Sequence, residues 1–223
     1  MPGPFRRATA LLAAILLLLA AWHALRLGSA SWMSQELDKD LNQWAQRTDQ
    51  TGLPPTLAEW QGAMDDLKSA LARDPNDPSL AEIEARLLSL IVRTGDGVTS
   101  RQQEAIPALE RAVALRPTSP YSWANLAAAL YGAGQVNARF HAALQNAVAY
   151  GPYEREALFV VIDLGLALGE TAPESTVLAV QTALKSADRR EAPIVASIAQ
   201  RRGKLELVCG LPNTRKQPAC TAE

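Results

Sequence analysis

The strongest constraint on this chain is a pattern that occurs three times. The heptad from Ala63 to Ala70 is followed five residues later by Pro75, Ala105 to Ala112 is followed by Pro117, and Phe140 to Ala147 by Pro152. Small residues returning at helical spacing, with a proline closing the segment, predict a helix that turns its small face inward and cannot continue past the proline. Repetition predicts a stack of helix pairs, each copy supplying the second helix of a hairpin. A stack of this kind buries one continuous face across its repeats, so the apolar residues of the pattern are read as core and not as sites. Its usual use is to bind other proteins.

The amino terminus decides where such a stack works. Arg6 and Arg7 precede a run from Ala8 to Trp22 with almost no polar groups, and the apolar character continues to Leu27 apart from His23 and Arg26. Basic residues before the run and a mixed, acidic sequence after it predict a cytoplasmic amino terminus with the remainder exported. Residues 8–27 match the roughly 20 residues needed to cross a bilayer, and Arg26 is placed to snorkel to the far interface, which favours a retained anchor. The alternative is a secretory signal cut near Ala30, where Gly28, Ser29 and Ala30 form a small-residue pattern that a signal peptidase accepts. Met33, Leu37, Leu41 and Trp44 recur at helical spacing and predict an amphipathic helix leaving the membrane.

First helices are legible in part. The third copy has Trp123, Leu126, Ala127 and Leu130, then Gly134 at the turn; the second has Leu80, Ile83 and Leu87, then a loop over residues 94–100 and a helix from Gln103 to Pro117 that Pro107 kinks or delays. The first copy shows only its second helix, from Trp60 to Arg73. A fourth, degenerate pair is expected over residues 153–168 and 174–187, where Val177, Val180 and Leu184 recur at helical spacing. Thr56 with Glu59 and Ser100 with Gln103 predict capping boxes, and Asp77 before Pro78 an N-cap followed by proline at the first helical position.

These copies resemble tetratricopeptide repeats, the third most closely: Trp123, Leu126, Ala127, Leu130, Gly134, Phe140, Ala147 and Pro152 follow the family's order of large and small residues, with a turn one residue too long. The loop in the second copy stretches that repeat beyond the usual period of roughly 34 residues. The resemblance covers about the middle three-fifths of the chain. With the anchor it implies an all-α protein, a right-handed superhelical stack of TPR-like helix pairs following one N-terminal transmembrane helix. The expected divisions are residues 1–30 as anchor or signal peptide, 31–55 as juxtamembrane helix and linker, 56–203 as repeat domain and 204–223 as tail. It also implies a ligand groove on the first helix of the best copy, where Tyr121, Asn125 and Tyr131 lie on or beside the open face; the alternative is that both tyrosines pad the neighbouring helix. Their chemistry suits an interface, two rings with polar tips and an amide that both donates and accepts.

Little else in the chain points to chemistry. His23 and His141 have no partner in sequence, Asp38, Asp40, Asn42 and Asp49 imitate part of a calcium loop but place Gln43 where the turn requires glycine, and Asp65 and Asp66 diverge on a helix. Asp96, between two glycines, reads as a turn. No catalytic residue, cofactor or metal site is assigned. Cys209 and Cys220 are the two cysteines, too far apart for a redox motif and without the histidines of a zinc site. In an exported chain they are expected to form a disulfide, stabilising the tail by roughly 3 kcal/mol. A net charge of -1 argues against a nucleic-acid binder. The basic residues gather late, at Arg189, Arg190, Arg201, Arg202, Lys204, Arg215 and Lys216, which reads as solvated helix faces or as an end lying near an anionic polymer or lipid head groups.

A second resemblance covers the whole plan. The short anchor, the run from Leu37 to Trp44, the segment from Trp60 to Pro78 and the closing Leu205, Glu206, Leu207, Val208 and Cys209 with distant Cys220 resemble the small anchored repeat proteins of bacterial exopolysaccharide clusters, the VpsP-like family. That resemblance implies a part in polysaccharide biosynthesis and export and brings no catalytic residue. The expected function is therefore a non-enzymatic scaffold at the inner membrane, facing the periplasm, with envelope proteins and the exopolysaccharide assembly machinery as partners. The alternatives are a cleaved periplasmic adaptor or chaperone for pilus or secretion assembly, and an accessory subunit of a glycan-acting enzyme.

Overall fold

A computed structural model describes residues 4–94, 97–187, 190–211 and Cys220. Apart from one hairpin of strands the described chain is helical, in the order α1 (Pro4–Thr51), α2 (Leu57–Arg73), α3 (Pro78–Ser89), β1 (Ile91–Thr94), β2 (Gly97–Ser100), α4 (Ala105–Leu115), α5 (Pro120–Gly132), α6 (Ala138–Tyr150), α7 (Arg155–Leu168), α8 (Glu174–Ser186), α9 (Ala192–Arg201) and α10 (Leu205–Cys209). These elements form two compact units, Met1–Ser100 and Arg101–Glu223. The expectations for Asp96, Arg189, Arg215 and Lys216 fall outside the described residues.

In the first unit α1 is a single helix of 48 residues. Its first half is an apolar helix, long enough by length and composition to be a membrane span or a signal sequence. Its second half packs on α2 and α3 through Ala30, Ser34, Leu37, Leu41 and Trp44, all buried. The alternating spacing of four and three is that of a heptad seam, and α2 answers with buried Trp60, Ala63, Leu67 and Ala70. Two contacts fix the register. Arg47 forks onto Glu59 at 2.7 and 3.1 Å, and the Arg73 guanidinium meets the Met33 sulfur. Arg47 and Met33 lie fourteen residues apart on α1, as do Glu59 and Arg73 on α2, in opposite order, so the helices run antiparallel without slip. The first helix missing from the first copy is therefore the second half of α1.

Trp60 ties α2 to α3 by donating its indole N–H to the Leu87 carbonyl at 2.8 Å. Arg86 of α3 reaches Asp38 and, at 2.9 Å, the Asn42 side-chain oxygen, so two of the four residues that imitate a calcium loop form a clasp between α1 and α3. Both expected caps of this unit are present. Thr56 and Glu59 exchange bonds as a capping box, and Asp77 accepts from the Ser79 amide at 2.8 Å with Pro78 in the first turn.

Thr94 and residues 97–100, expected as loop, are strand instead. β1 and β2 pair antiparallel from Ile91 opposite Ser100 to Thr94 opposite Gly97. The Arg93 amide also donates to the Pro55 carbonyl at 2.8 Å, fastening the hairpin beside the start of α2. With Ser100 in β2, the box expected of Ser100 and Gln103 does not begin a helix. A 3-10 turn, Gln102–Glu104, precedes α4, whose N-cap Glu104 makes no side-chain cap bond. Pro107 thus sits in the first turn of α4, where its missing N–H leaves no bond unmade.

The second unit consists of TPR-like hairpins. α5 packs on α6 and α7 on α8, while α5, α7 and α9 form one row and α6 and α8 another. The α5–α6 turn is closed by Gly134 at φ +71°, with the Gln135 amide on the Leu130 carbonyl at 2.8 Å, a helix end for which glycine pays no steric penalty. Positions Ala63, Leu67 and Ala70 of the repeated pattern are buried in α2, as are Ala105, Leu109 and Ala112 in α4 and Phe140, Leu144 and Ala147 in α6. In α8 the buried stripe is Thr176, Ala179, Val180 and Ala183, so Val177 and Leu184, expected in the core, lie outside it. α8 packs on α6 as well as on α7, so its buried stripe is the one between the two; at the α7 crossing a Cβ on Gly165 would stand 2.0 Å from Val180 Cγ2, and the two helices meet at a bare backbone. His141 also gains a partner that the sequence did not show, its Nδ1 lying 2.9 Å from the hydroxyl of buried Thr176.

Gly165→Ala is expected to destabilise the second unit by about 1–3 kcal/mol through overpacking against Val180. Val180→Ala in the same chain should recover part of that loss, since the two sites are in contact. Urea unfolding of the two single variants and the double variant measures both, and additive losses would show that the close crossing is not the cause.

Candidate interaction site

Tyr121, Asn125 and Tyr131 all stand on α5, but the helix does not present them together. Tyr121 and Asn125 are one turn apart and exposed. Tyr131, six residues beyond Asn125, is rotated by about 120° from it at the helical repeat of 3.6. It is half-buried, its ring centroid 6.1 Å from that of Phe140 on α6, so it pads the neighbouring helix.

Tyr121 is held from outside its own helix. Its hydroxyl donates to Glu154, the residue that opens α7. This bond, with burial and the charges of Glu154 and Glu156, pushes the phenol up to about 12. Gly151 brings the two turns into contact, because a Cβ at that position would meet Pro120 at 2.5 Å. Tyr150 and Tyr153, on the same α6–α7 connection, are exposed. The described end of α5 therefore carries an aromatic and acidic surface that reading α5 alone did not disclose.

Trp123 departs from its expected place in the core. It is half-buried, and its indole N–H donates to the Pro117 carbonyl at 2.7 Å. The inner faces of α5 are filled by Ser122, Ala124, Leu126, Ala127, Ala129 and Leu130, all buried, because α4, α6 and α7 pack around the helix and small residues let them approach. The indole instead closes the α4–α5 turn, where removing it forfeits a hydrogen bond worth about 1 kcal/mol and part of a ring's burial, less than the roughly 3 to 5 kcal/mol lost when a buried aromatic is truncated.

The basic end is partly consumed by structure. Arg202 forks onto Asp163 of α7 at 2.9 and 2.6 Å, and Arg201 bonds Ser197 one turn back on α9. The Asp163 carboxylate raises the Arg202 guanidinium above its ordinary value. Cys209 and Cys220 are bonded to each other, their Cα atoms 5.4 Å apart, which ties the far end of the chain to α10. Among the described residues no group of three or more His, Cys, Asp or Glu is placed to hold a metal ion.

No protein-family model matches the chain, and no curated protein does. A solved structure described as the crystal structure of MamA protein is similar over 78% of this chain and 87% of that one, at 17% identity and a TM-score of 0.43. The architecture rests on the helix pairs themselves.

At neutral pH the Tyr121 phenol is protonated in folded and unfolded chains alike. Its raised value contributes stability that is present below the ordinary phenol pKa of about 10 and is lost as pH rises through about 12. Glu154→Gln should bring one of the four phenols back toward the ordinary value. Ultraviolet titration of the folded protein reads this, and an unchanged curve would mean that Glu154 does not hold the hydroxyl.

Proposed function

We propose that this protein is a scaffold held at the bacterial inner membrane by α1, with its helix pairs in the periplasm, and that it assembles proteins of the cell envelope or of exopolysaccharide synthesis and export without catalysing a reaction itself. The observation that carries the reading is the continuity of α1. Its apolar run is exposed along its described length, with Leu25 at 74%, and five residues later Ala30 is at 1% in the packed face of the first unit. An apolar helix this exposed requires a cover, and a bilayer supplies one of the right thickness.

The same continuity favours a retained anchor over a cleaved adaptor. Processing after Ala30 removes a buried residue of the α1 seam together with the helix that precedes it, so the mature chain would begin inside its own packing. Orientation is supported by Arg6 and Arg7 before the span. The Cys209–Cys220 bond suits an oxidising compartment. The polysaccharide pathway is supported by the VpsP-like resemblance alone.

A reporter active only outside the cytoplasm, fused after Glu223, is expected to be active, and membranes washed with alkaline carbonate should retain the protein with its original amino terminus. Protein from the envelope should show no free thiol until reduced. A reporter active only in the cytoplasm would overturn the orientation, and a mature terminus at Ser31 would replace the anchor with the adaptor. Partner binding is tested by changing Tyr121 and Asn125 together to Ala, with Tyr131 kept because it packs on Phe140. Weaker co-purification of envelope proteins at unchanged helical content is expected, and full recovery would place the interaction elsewhere.

A further inference from the structure

The second unit ends in an incomplete helix pair. Its last two full second helices, α6 and α8, lie side by side, and each has 13 residues. The next in order is α10, with five residues, and it packs on α9. The place beside α8 where a full second helix belongs is left as a groove of about 1140 Å³ between α7, α8 and α10.

The groove wall is apolar. Val177 and Leu184, the two residues displaced from the expected core stripe, line it together with Val180, Leu205, Leu207 and Leu211. Leu207 is 63% exposed. A solenoid normally closes its last repeat with a polar outer face, because an apolar end is a surface for association. Among the described residues no helix covers this end, and its shape matches what fills the equivalent place one repeat earlier, an amphipathic helix.

Charge selects the kind of helix. Lys185 and Lys204 line the groove and make no ion pair among the described residues, against one acid, Glu206. We propose that this groove docks an acidic amphipathic helix of a partner protein, which completes the last helix pair in trans with its apolar stripe on Val177, Leu184 and Leu207 and its carboxylates on Lys185 and Lys204. The proposal deepens the scaffold reading by naming one docking surface and the chemistry of what it takes, and it stands on a different part of the molecule from Tyr121.

The test uses the full chain in zwitterionic lipid discs and two fluorescent peptides of about 18 residues, roughly five helical turns. Both carry the same leucine stripe, one with glutamates and the other with lysines on the remaining face, and anisotropy is counted against empty discs. The glutamate peptide should bind at least about tenfold more tightly. Lys185→Glu with Lys204→Glu should invert that preference, and Leu207→Asp should weaken binding about tenfold with helical content by circular dichroism unchanged. Equal binding of the two peptides, binding indifferent to these variants, or no binding at concentrations on the order of 100 μM would overturn the proposal. So would self-association in sedimentation that Leu207→Asp abolishes, since a second copy would then be the occupant. None of these outcomes touches the topology and processing tests, so failure of the groove is distinguishable from failure of the anchored scaffold.

Discussion

Close approach of helices is the condition on which both units depend. A helix pair brings two backbones together only where one offers a small side chain, and this chain places alanine at Ala70, Ala112 and Ala147 near the end of each repeated second helix, all fully buried. At the α7–α8 crossing the condition becomes stricter, with Gly165 facing Val180. Close packing leaves no room for adjustment at such points, so the register of each pair follows from where the small residues fall. The prolines that follow the alanines stop each helix and turn the chain back, which is why the pattern of small residue and proline repeats as a unit.

α1 adds a constraint of another kind. Because one helix serves as apolar rod and as the first helix of the α1–α2 seam, no linker lies between them. The apolar run ends three residues before Ala30, about 5 Å along a helix. The register set by Arg47–Glu59 and Arg73–Met33 places the α2–α3 turn level with Ala30. If α1 spans a bilayer, the first unit stands against its surface at a fixed height and rotation, and any partner of that unit must approach laterally.

The fold was legible where packing is local and periodic. The second helices, the box at Thr56 and the N-cap at Asp77 follow from side chains within one or two turns, and the structure keeps them. What the sequence concealed depends on contacts distant along the chain. The partner of α2 was hidden because the membrane pattern and the heptad seam merge in one helix, and neither has the length of a repeat. The β hairpin was hidden by short strands around Gly95 and Asp96, which read equally well as loop. Val177 and Leu184 have the right spacing for a core stripe, but α8 packs on both α6 and α7, and the face between those helices carries Thr176, Ala179, Val180 and Ala183 instead. For the candidate site, Tyr121 and Asn125 were readable from the face of α5, whereas Glu154, 33 residues away, was not.

Charge shows the same limit more sharply. In the sequence, acids cluster early and basic residues late, a pattern that invites a polyanionic ligand. The structure spends much of that charge on joining helices: Asp38 and Asn42 take Arg86, Glu59 takes Arg47, and Asp163 takes Arg202. Each arginine is partly exposed, so these pairs add little energy individually, and their main effect is to fix which helix faces meet. A charge already shared across a helix interface is a poor handle for a ligand, because recruiting it leaves its partner uncompensated. The cations that remain available are those without such a duty, and Lys185 and Lys204 are two of them, both lining an apolar groove at the end of the second unit. Composition counts all of these residues alike, and only the pairing pattern separates the charges that hold the fold from those left to meet a partner.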